Sequence, residues 1–269
     1  MSSPEAAPFD DVRWAVIDHT GIISLNRPAT RNALTHEMYA ELERLVRAAP
    51  AAGIRCLIVT GSDPAFCSGD DVRQVMGGGE RTAPSPIAGD RAPRLTPAAD
   101  ALLQCNIPII AAVNGAAVGW GMELAMMADL RVASERAKFG ELFVLRGLVS
   151  DVAGLGRLSQ LVGRETAAEL LFTGEVIDAQ RAKEIGLVGR VVPHDVLIPV
   201  ALSIAQRIAS NPPLAVQRIK AGLREALDPD WNQLGAWVSS SLAELFTTDD
   251  HREGAKAFLE KRMPVFRGS

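Results

Sequence analysis

Residues 107–133 read IPIIAAVNGAAVGWGMELAMMADLRVA. The run 107–113 is short, continuous and apolar, the form of a strand buried on both faces. Asn114 and Gly115 then turn the chain. Residues 119–127 have the length and composition of a helix, and Leu130-Arg131-Val132-Ala133 reads as a second strand. Strand, turn, helix and strand in that order imply parallel neighbours joined by a crossover, the unit of an α/β fold.

The same order stands upstream. Met38, Leu42, Leu45 and Val46 recur at helical spacing after Thr35, and Pro50 with Gly53 ends that pattern. Cys56-Leu57-Ile58-Val59, closed by Thr60-Gly61, is another doubly buried strand run. Residues 13–18 and 21–26 are β-rich around His19-Thr20-Gly21, which reads as a hairpin, and Arg27-Pro28 breaks the second run. Residues 77–97 begin with three glycines and carry Pro84, Pro86, Pro93 and Pro97, the composition of a mobile loop. After residue 195 strand signals stop, and amphipathic patterns over 196–210, 213–227, 231–247 and 249–261 predict helices. The expectation is an α/β core over residues 1–195 and a helical C-terminal region over 196–269, without internal repeats, working as one unit.

A chain of 269 residues that is 48% hydrophobic can bury a sizeable core. Its net charge of −4 and lack of a dense Lys/Arg run argue against a nucleic-acid partner. Cys56, Cys67 and Cys105 are odd in number and show no C-x-x-C pairing, so neither a disulfide framework nor a zinc site is suggested. The acidic N-terminus lacks the order of a secretory signal or transit peptide. The most apolar stretch falls far short of the roughly 20 residues a membrane span needs. A soluble, cytoplasmic protein is expected.

Two glycine-bearing turns attract chemistry: Phe66-Cys67-Ser68-Gly69-Asp70-Asp71 and Asn114-Gly115-Ala116-Ala117-Val118-Gly119-Trp120-Gly121. Each should open a helix at the carboxyl end of a parallel strand, the edge where open α/β sheets bind ligands. The first N–H groups of a helix lack internal partners, so two such turns facing each other can aim two donors at one oxygen. The same glycines also suit tight turns and close packing alone. Glu123 follows within an apolar helix start. A first-turn Glu complements the helix dipole; set among apolar neighbours beside an anion hole, it is also a general acid/base candidate.

Taken together, these motifs resemble the crotonase superfamily, the enoyl-CoA hydratase/isomerase family. Asn26-Arg27-Pro28 with Arg31-Asn32-Ala33-Leu34 is similar to the family's NRP-x-x-x-NAL opening. Residues 66–71 resemble its F-C-x-G-x-D turn, and 108–123 its P-x-x-A-A-V-N-G-x-x-x-G-x-G-x-E run. Phe139-Gly140, Thr173-Gly174, Gly186-Leu187-Val188, Arg190-Val191-Val192-Pro193 and residues 257–262 continue the match. The resemblance implies a crotonase-like spiral of ββα units with a C-terminal helical trimerisation region, commonly a dimer of trimers, acting on a coenzyme A thioester without a prosthetic group or metal. It maps the oxyanion donors onto the backbone N–H groups of Asp70 and Trp120. It puts the adenine-end pocket near Ser68, Asp70, Asp71 and Val72, with Arg31 and Lys261 on the phosphate side, Lys261 from a neighbouring subunit. Ordinary solvated charges are the alternative for Arg31 and Lys261.

The family's hydratases carry two glutamates. Glu123 fills the first place, but the second falls on Phe143, which the resemblance then implies lines the substrate pocket. Glu141 stands two residues away, which on a helix is about 200° round the axis, so it is not taken as the substitute. Asp151 resembles an acid found in dienoyl-CoA isomerases and in carnitinyl-CoA dehydratase-like members; it would equally cap the following helix. The resemblance implies an enoyl-CoA hydratase of fatty acid metabolism acting on a 2-enoyl-CoA, with Glu123 and Asp151 as catalytic residues. A double-bond isomerase is the runner-up, and a non-catalytic acyl-CoA-binding member a third reading. Hydrolysis by a nucleophile–His system would have to draw on His19, His36, His194 or His251, none of which lies in these motifs.

Overall fold

A computed structural model describes residues 10–71, 74 and 95–267. Most of the expected loop over 77–97, and Val72, lie outside the described residues. Pro97, read as part of that loop, instead opens a helix, α2 (Pro97–Gln104), whose N-cap Thr96 accepts from the Ala99 amide. Proline suits this first position because its missing N–H would have been unsatisfied there.

The chain opens on an antiparallel hairpin, β1 (Val12–Ile17) and β2 (Thr20–Leu25), followed by α1 (His36–Ala48) and β3 (Cys56–Gly61). Its turn is shorter than expected: Ile17 pairs with Thr20, so only Asp18 and His19 lie outside the ladder, and Asp18 takes the positive φ. Gly21 belongs to β2, where a Cβ would stand 2.2 Å from the Trp14 ring.

Beyond β3 the chain winds as a spiral, each turn placing one strand in each of two sheets. Strands β5 (Ile109–Val113), β7 (Leu130–Ser134) and the shorter β10 (Arg190–Val192) extend a six-stranded sheet ordered β1-β2-β3-β5-β7-β10, parallel from β2 onward. The short strands β4 (Ala65–Cys67), β6 (Ala116–Val118), β8 (Lys138–Gly140) and β9 (Ile177–Asp178) form a second sheet in that order. This is the crotonase-like arrangement. One expectation changes: the glycine turns do not leave the long strands directly, because the chain first crosses to β4 and β6.

The apolar runs are continuous because the large sheet is covered on both sides. Leu57, Val59, Ile109 and Ala111 face one core, while Cys56, Ile58, Ile110 and Ala112 face another that includes Leu197, Ala201 and Ala205 of the helix Leu197–Ala209. The remaining C-terminal helices run over Pro213–Leu227, Trp231–Leu245 and Asp249–Glu260, within two residues of the periodic patterns at each end. The buried Lys220 ammonium donates to the Ile107 carbonyl at 2.9 Å and pairs with Asp129 at 2.7 Å, tying the first of these to the core. Among the described residues no helix is long and apolar enough to cross a membrane.

Candidate active site

The two glycine turns meet. Gly69 (φ +89°) and Gly119 (φ +54°) hold conformations that side chains rarely adopt, and a Cβ on Gly69 would lie 3.3 Å from the Trp120 amide nitrogen. Asp70 bridges Leu34 in parallel: the Leu34 amide donates to the Gly69 carbonyl and the Asp71 amide to the Leu34 carbonyl, both at 2.9 Å. Alternation along an extended segment turns the Asp70 N–H away from Leu34. Trp120 is the first residue of α3 (Trp120–Met127), whose initial amides have no intrahelical acceptor. Among the described residues neither amide donates to a backbone carbonyl.

Side chains brace this pair of turns. The Tyr39 hydroxyl donates to Asp70 at 2.6 Å, and the Tyr39 ring stands edge-on to the Trp120 indole with centroids 4.7 Å apart. The indole N–H in turn donates to Asp151 Oδ2 at 3.0 Å. Burial pushes the Asp70 carboxyl and the Tyr39 hydroxyl upward from their ordinary values.

Glu123 sits on α3 with no exposed surface. Its carboxyl accepts from the Ala153 amide at 2.8 Å and from the Gly154 amide at 3.1 and 3.0 Å, both in the first turn of α4 (Val152–Gly156). Gly154 permits this approach, since a Cβ there would stand 2.7 Å from Glu123 Oε1. Burial, reinforced by Glu141 and Asp151, lifts the Glu123 carboxyl well above the ordinary range, while the two amides pull it back. Asp151 is also buried. Its Oδ1 caps α4 by accepting from the Val152 amide at 2.8 Å, so the capping geometry and the contact with Trp120 coexist. Burial raises its pKa, against the pull of those two donors.

A third carboxyl completes the cluster, and sequence reasoning passed over it. Glu141 is 1% exposed, and its Oε2 lies 2.5 Å from the Ser150 hydroxyl, which lies 3.3 Å from Glu123 Oε1. Setting Glu141 aside assumed a helix, but residues 141 and 142 precede the 3-10 turn Val144–Arg146. The available signal was its place one residue after the Phe139-Gly140 strand end. Burial pushes the Glu141 carboxyl up to about 8.

The other expected residues divide into two groups. Ser68, Arg31 and Asp71 lie together: the Ser68 amide donates to the Arg31 carbonyl at 3.0 Å, and Asp71 pairs with Arg27 at 2.9 Å. The buried Asn32 side chain holds this segment by donating to the Ser62 and Ala65 carbonyls at 2.8 and 2.7 Å. Lys261 stands apart as the exposed C-cap of Asp249–Glu260, and among the described residues no hydrogen bond or ion pair joins it to the site. Phe143 is half-buried against the main core, its carbonyl accepting from the Arg146 and Leu148 amides.

The histidines serve elsewhere as ties. His194 lies between Ser134 Oγ at 3.1 Å and Asp63 Oδ2 at 3.0 Å, but Ser134 is fully buried and its hydroxyl already accepts from the Arg136 amide. His251 bonds the Arg146 carbonyl, and His19 the Gly53 carbonyl. The Cys67 thiol is pushed up to about 12 by burial, which leaves it unreactive at neutral pH.

The chain and its fold have counterparts among known proteins. Residues 19–269 match the family model for enoyl-CoA hydratase/isomerase. The chain is 38% identical over 250 residues to the crotonyl-CoA hydratase of Syntrophomonas wolfei, covering 91% of this chain and 93% of that protein. It is 36% identical over 248 residues to the 2,3-dehydroadipyl-CoA hydratase of Escherichia coli, covering 92% and 94%. The crystal structure of an enoyl-CoA hydratase/isomerase from Pseudoalteromonas atlantica superposes with a TM-score of 0.83 at 29% identity, over 96% of this chain and 100% of that one. With a family match over almost its whole length, and relatives that share more than a third of its residues, the chain belongs to the enoyl-CoA hydratase/isomerase family.

Proposed function

We propose that this protein adds water across the double bond of a 2-enoyl-CoA thioester. The observation that carries this reading is Glu123: a fully buried carboxyl, lifted well above the ordinary carboxylate range by burial, on the helix whose first amide belongs to one of two meeting glycine turns. The thioester oxygen accepts from the Asp70 and Trp120 N–H groups, which favour the charge that develops there on forming an enolate. Glu123 takes a proton from water, the hydroxyl adds to the β-carbon, and the proton passes to the α-carbon, so that one water is consumed and Glu123 is restored. Coenzyme A enters only as part of the substrate.

Isomerisation is the second reading, favoured by a specific observation. Phe143 stands where a second glutamate would act, while the buried Asp151 lies against Trp120. Glu123 and Asp151 would then move a proton between carbons with no net change in mass. A non-catalytic binding role leaves the burial of Glu123 against two amides without a purpose.

The adenine and phosphate end of coenzyme A is assigned to Arg31, Ser68, Asp71, Val72 and Lys261, and Phe143 to the wall of the acyl pocket. Lys261 is assigned there from a neighbouring subunit. The helix Pro213–Leu227 exposes Ile219, Leu223 and Leu227 at four-residue spacing, which supports burial of that stripe in a trimer or a dimer of trimers of a cytoplasmic enzyme. In this reading residues 1–195 supply the thioester site, and 196–269 assemble the oligomer and close it.

A panel of CoA thioesters, followed by loss of enoyl-thioester absorbance and by product mass, tests the assignment. Gain of one water supports hydration, unchanged mass with a moved double bond supports isomerisation, and no turnover of any thioester overturns both.

A further inference from the structure

Glu123, Glu141 and Asp151 are three buried carboxyls in one cluster, and among the described residues none forms an ion pair with Lys, Arg or His. Three negative charges held together out of water cannot all persist, and such a cluster retains protons instead. Hydrogen-bond donors reveal which group keeps one. Glu123 accepts from two backbone amides, and Asp151 from one amide and an indole N–H. These groups can only donate, so they favour the charged carboxylate. Glu141 has no such partner. Among the described residues its Oε2 meets the Ser150 hydroxyl, which can accept as well as donate, Glu141 also shares a side-chain hydrogen bond with Glu123, and its Oε1 is buried without a hydrogen-bond partner.

We propose that Glu141 carries the resident proton of the site and donates it to Ser150, whose own hydroxyl then donates to Glu123 and holds that carboxylate ready as the base. Glu141 is thus a positioning residue that acts through Ser150, and this role rests on the reading of Glu123 as the proton carrier. The acidic groups that bear on Glu141 are Asp151 from the start of α4, which raises its carboxyl, and Glu123 from α3, whose hydrogen bond with it lowers it. Ionising Glu141 therefore has two effects. Ser150 turns to donate to Glu141, so Glu123 loses a donor. A further negative charge also faces the enolate, which raises the barrier to forming it.

The test compares kcat against pH for the native protein and Glu141→Gln, with the carboxyl C=O stretch read by difference infrared spectroscopy. The amide of Gln donates to Ser150 at every pH but never ionises. The native kcat should fall above pH 8, where Glu141 loses its proton. Glu141→Gln should lose roughly 3- to 10-fold at neutral pH and then stay flat through that range. An alkaline fall of the same midpoint in Glu141→Gln overturns the proposal. The infrared arm does not depend on turnover: a protonated-carboxyl band should be present at neutral pH, disappear in Glu141→Gln and persist in Glu123→Gln. The reverse pattern would put the proton on Glu123 and refute the assignment. If the native protein turns over no thioester, the enzymatic reading fails while the infrared band still decides where the proton resides.

Discussion

Two glutamates mark the contrast between the buried pocket and the helical tail. Glu141, enclosed among acids with no cation, has its carboxyl pushed up to about 8 by burial. Glu253, on Asp249–Glu260, is brought down to about 2 by its hydrogen bonds to Arg262 and to the Val265 amide. The same side chain is a proton holder in one place and a permanent anion in the other. Desolvation decides the first and donor geometry the second. Carboxyls suited to proton transfer therefore collect where the protein excludes water and withholds arginine.

The largest expected effect tests the pocket directly. Glu123→Gln should lower kcat by about 10³- to 10⁴-fold while thioester affinity, measured by calorimetry, stays within a few fold, because a proton carrier is lost but little volume changes. Near-native turnover would end the claim that this pocket does the chemistry.

Asp151→Asn comes next, at about 10²-fold in kcat with a smaller change in KM. Both Asp151 oxygens accept from N–H groups, so an amide must turn its own donors against the Val152 amide or the Trp120 indole. Full activity on the best thioester would reduce Asp151 to a helix cap.

A smaller effect compares the two glutamates through stability. Glu141 binds its proton more tightly folded than unfolded, so it costs stability progressively as pH rises from 4.5 to about 8. Glu141→Gln removes that slope, and between acid and mildly alkaline pH its Tm should gain on the native protein by more than the about 2–4 °C that roughly 1 kcal/mol produces in a chain of this size, since the rise from 4.5 to about 8 is worth several times that. Glu253 has the opposite sign: its contribution is complete above 4.5 and is lost as pH falls toward about 2. Glu253→Gln should leave kcat unchanged, and any Tm difference should vanish in acid; an altered kcat would blur the contrast.

The local pattern of residues determined much of this protein. Apolar runs without alternation marked β3 and β5 as doubly covered strands, amphipathic periodicity marked the C-terminal helices, and the two glycine turns marked segments that the fold brings together beside Glu123. Each signal is local, since backbone conformation and burial periodicity act over a few neighbours. Tertiary structure alone decided the rest. The strands of the second sheet are two or three residues long, too brief for a period to register. Tyr39 on one side and Ser150 with Glu141 on the other reach the site from segments about a hundred residues apart, and their roles follow from hydrogen bonds that no spacing encodes. Glu141 is the clearest case: whether it faces solvent or shares a proton with Ser150 depends on how β8 ends and on where the start of α4 is packed, and it is burial, a property of the whole fold, that turns it from a surface charge into part of the site.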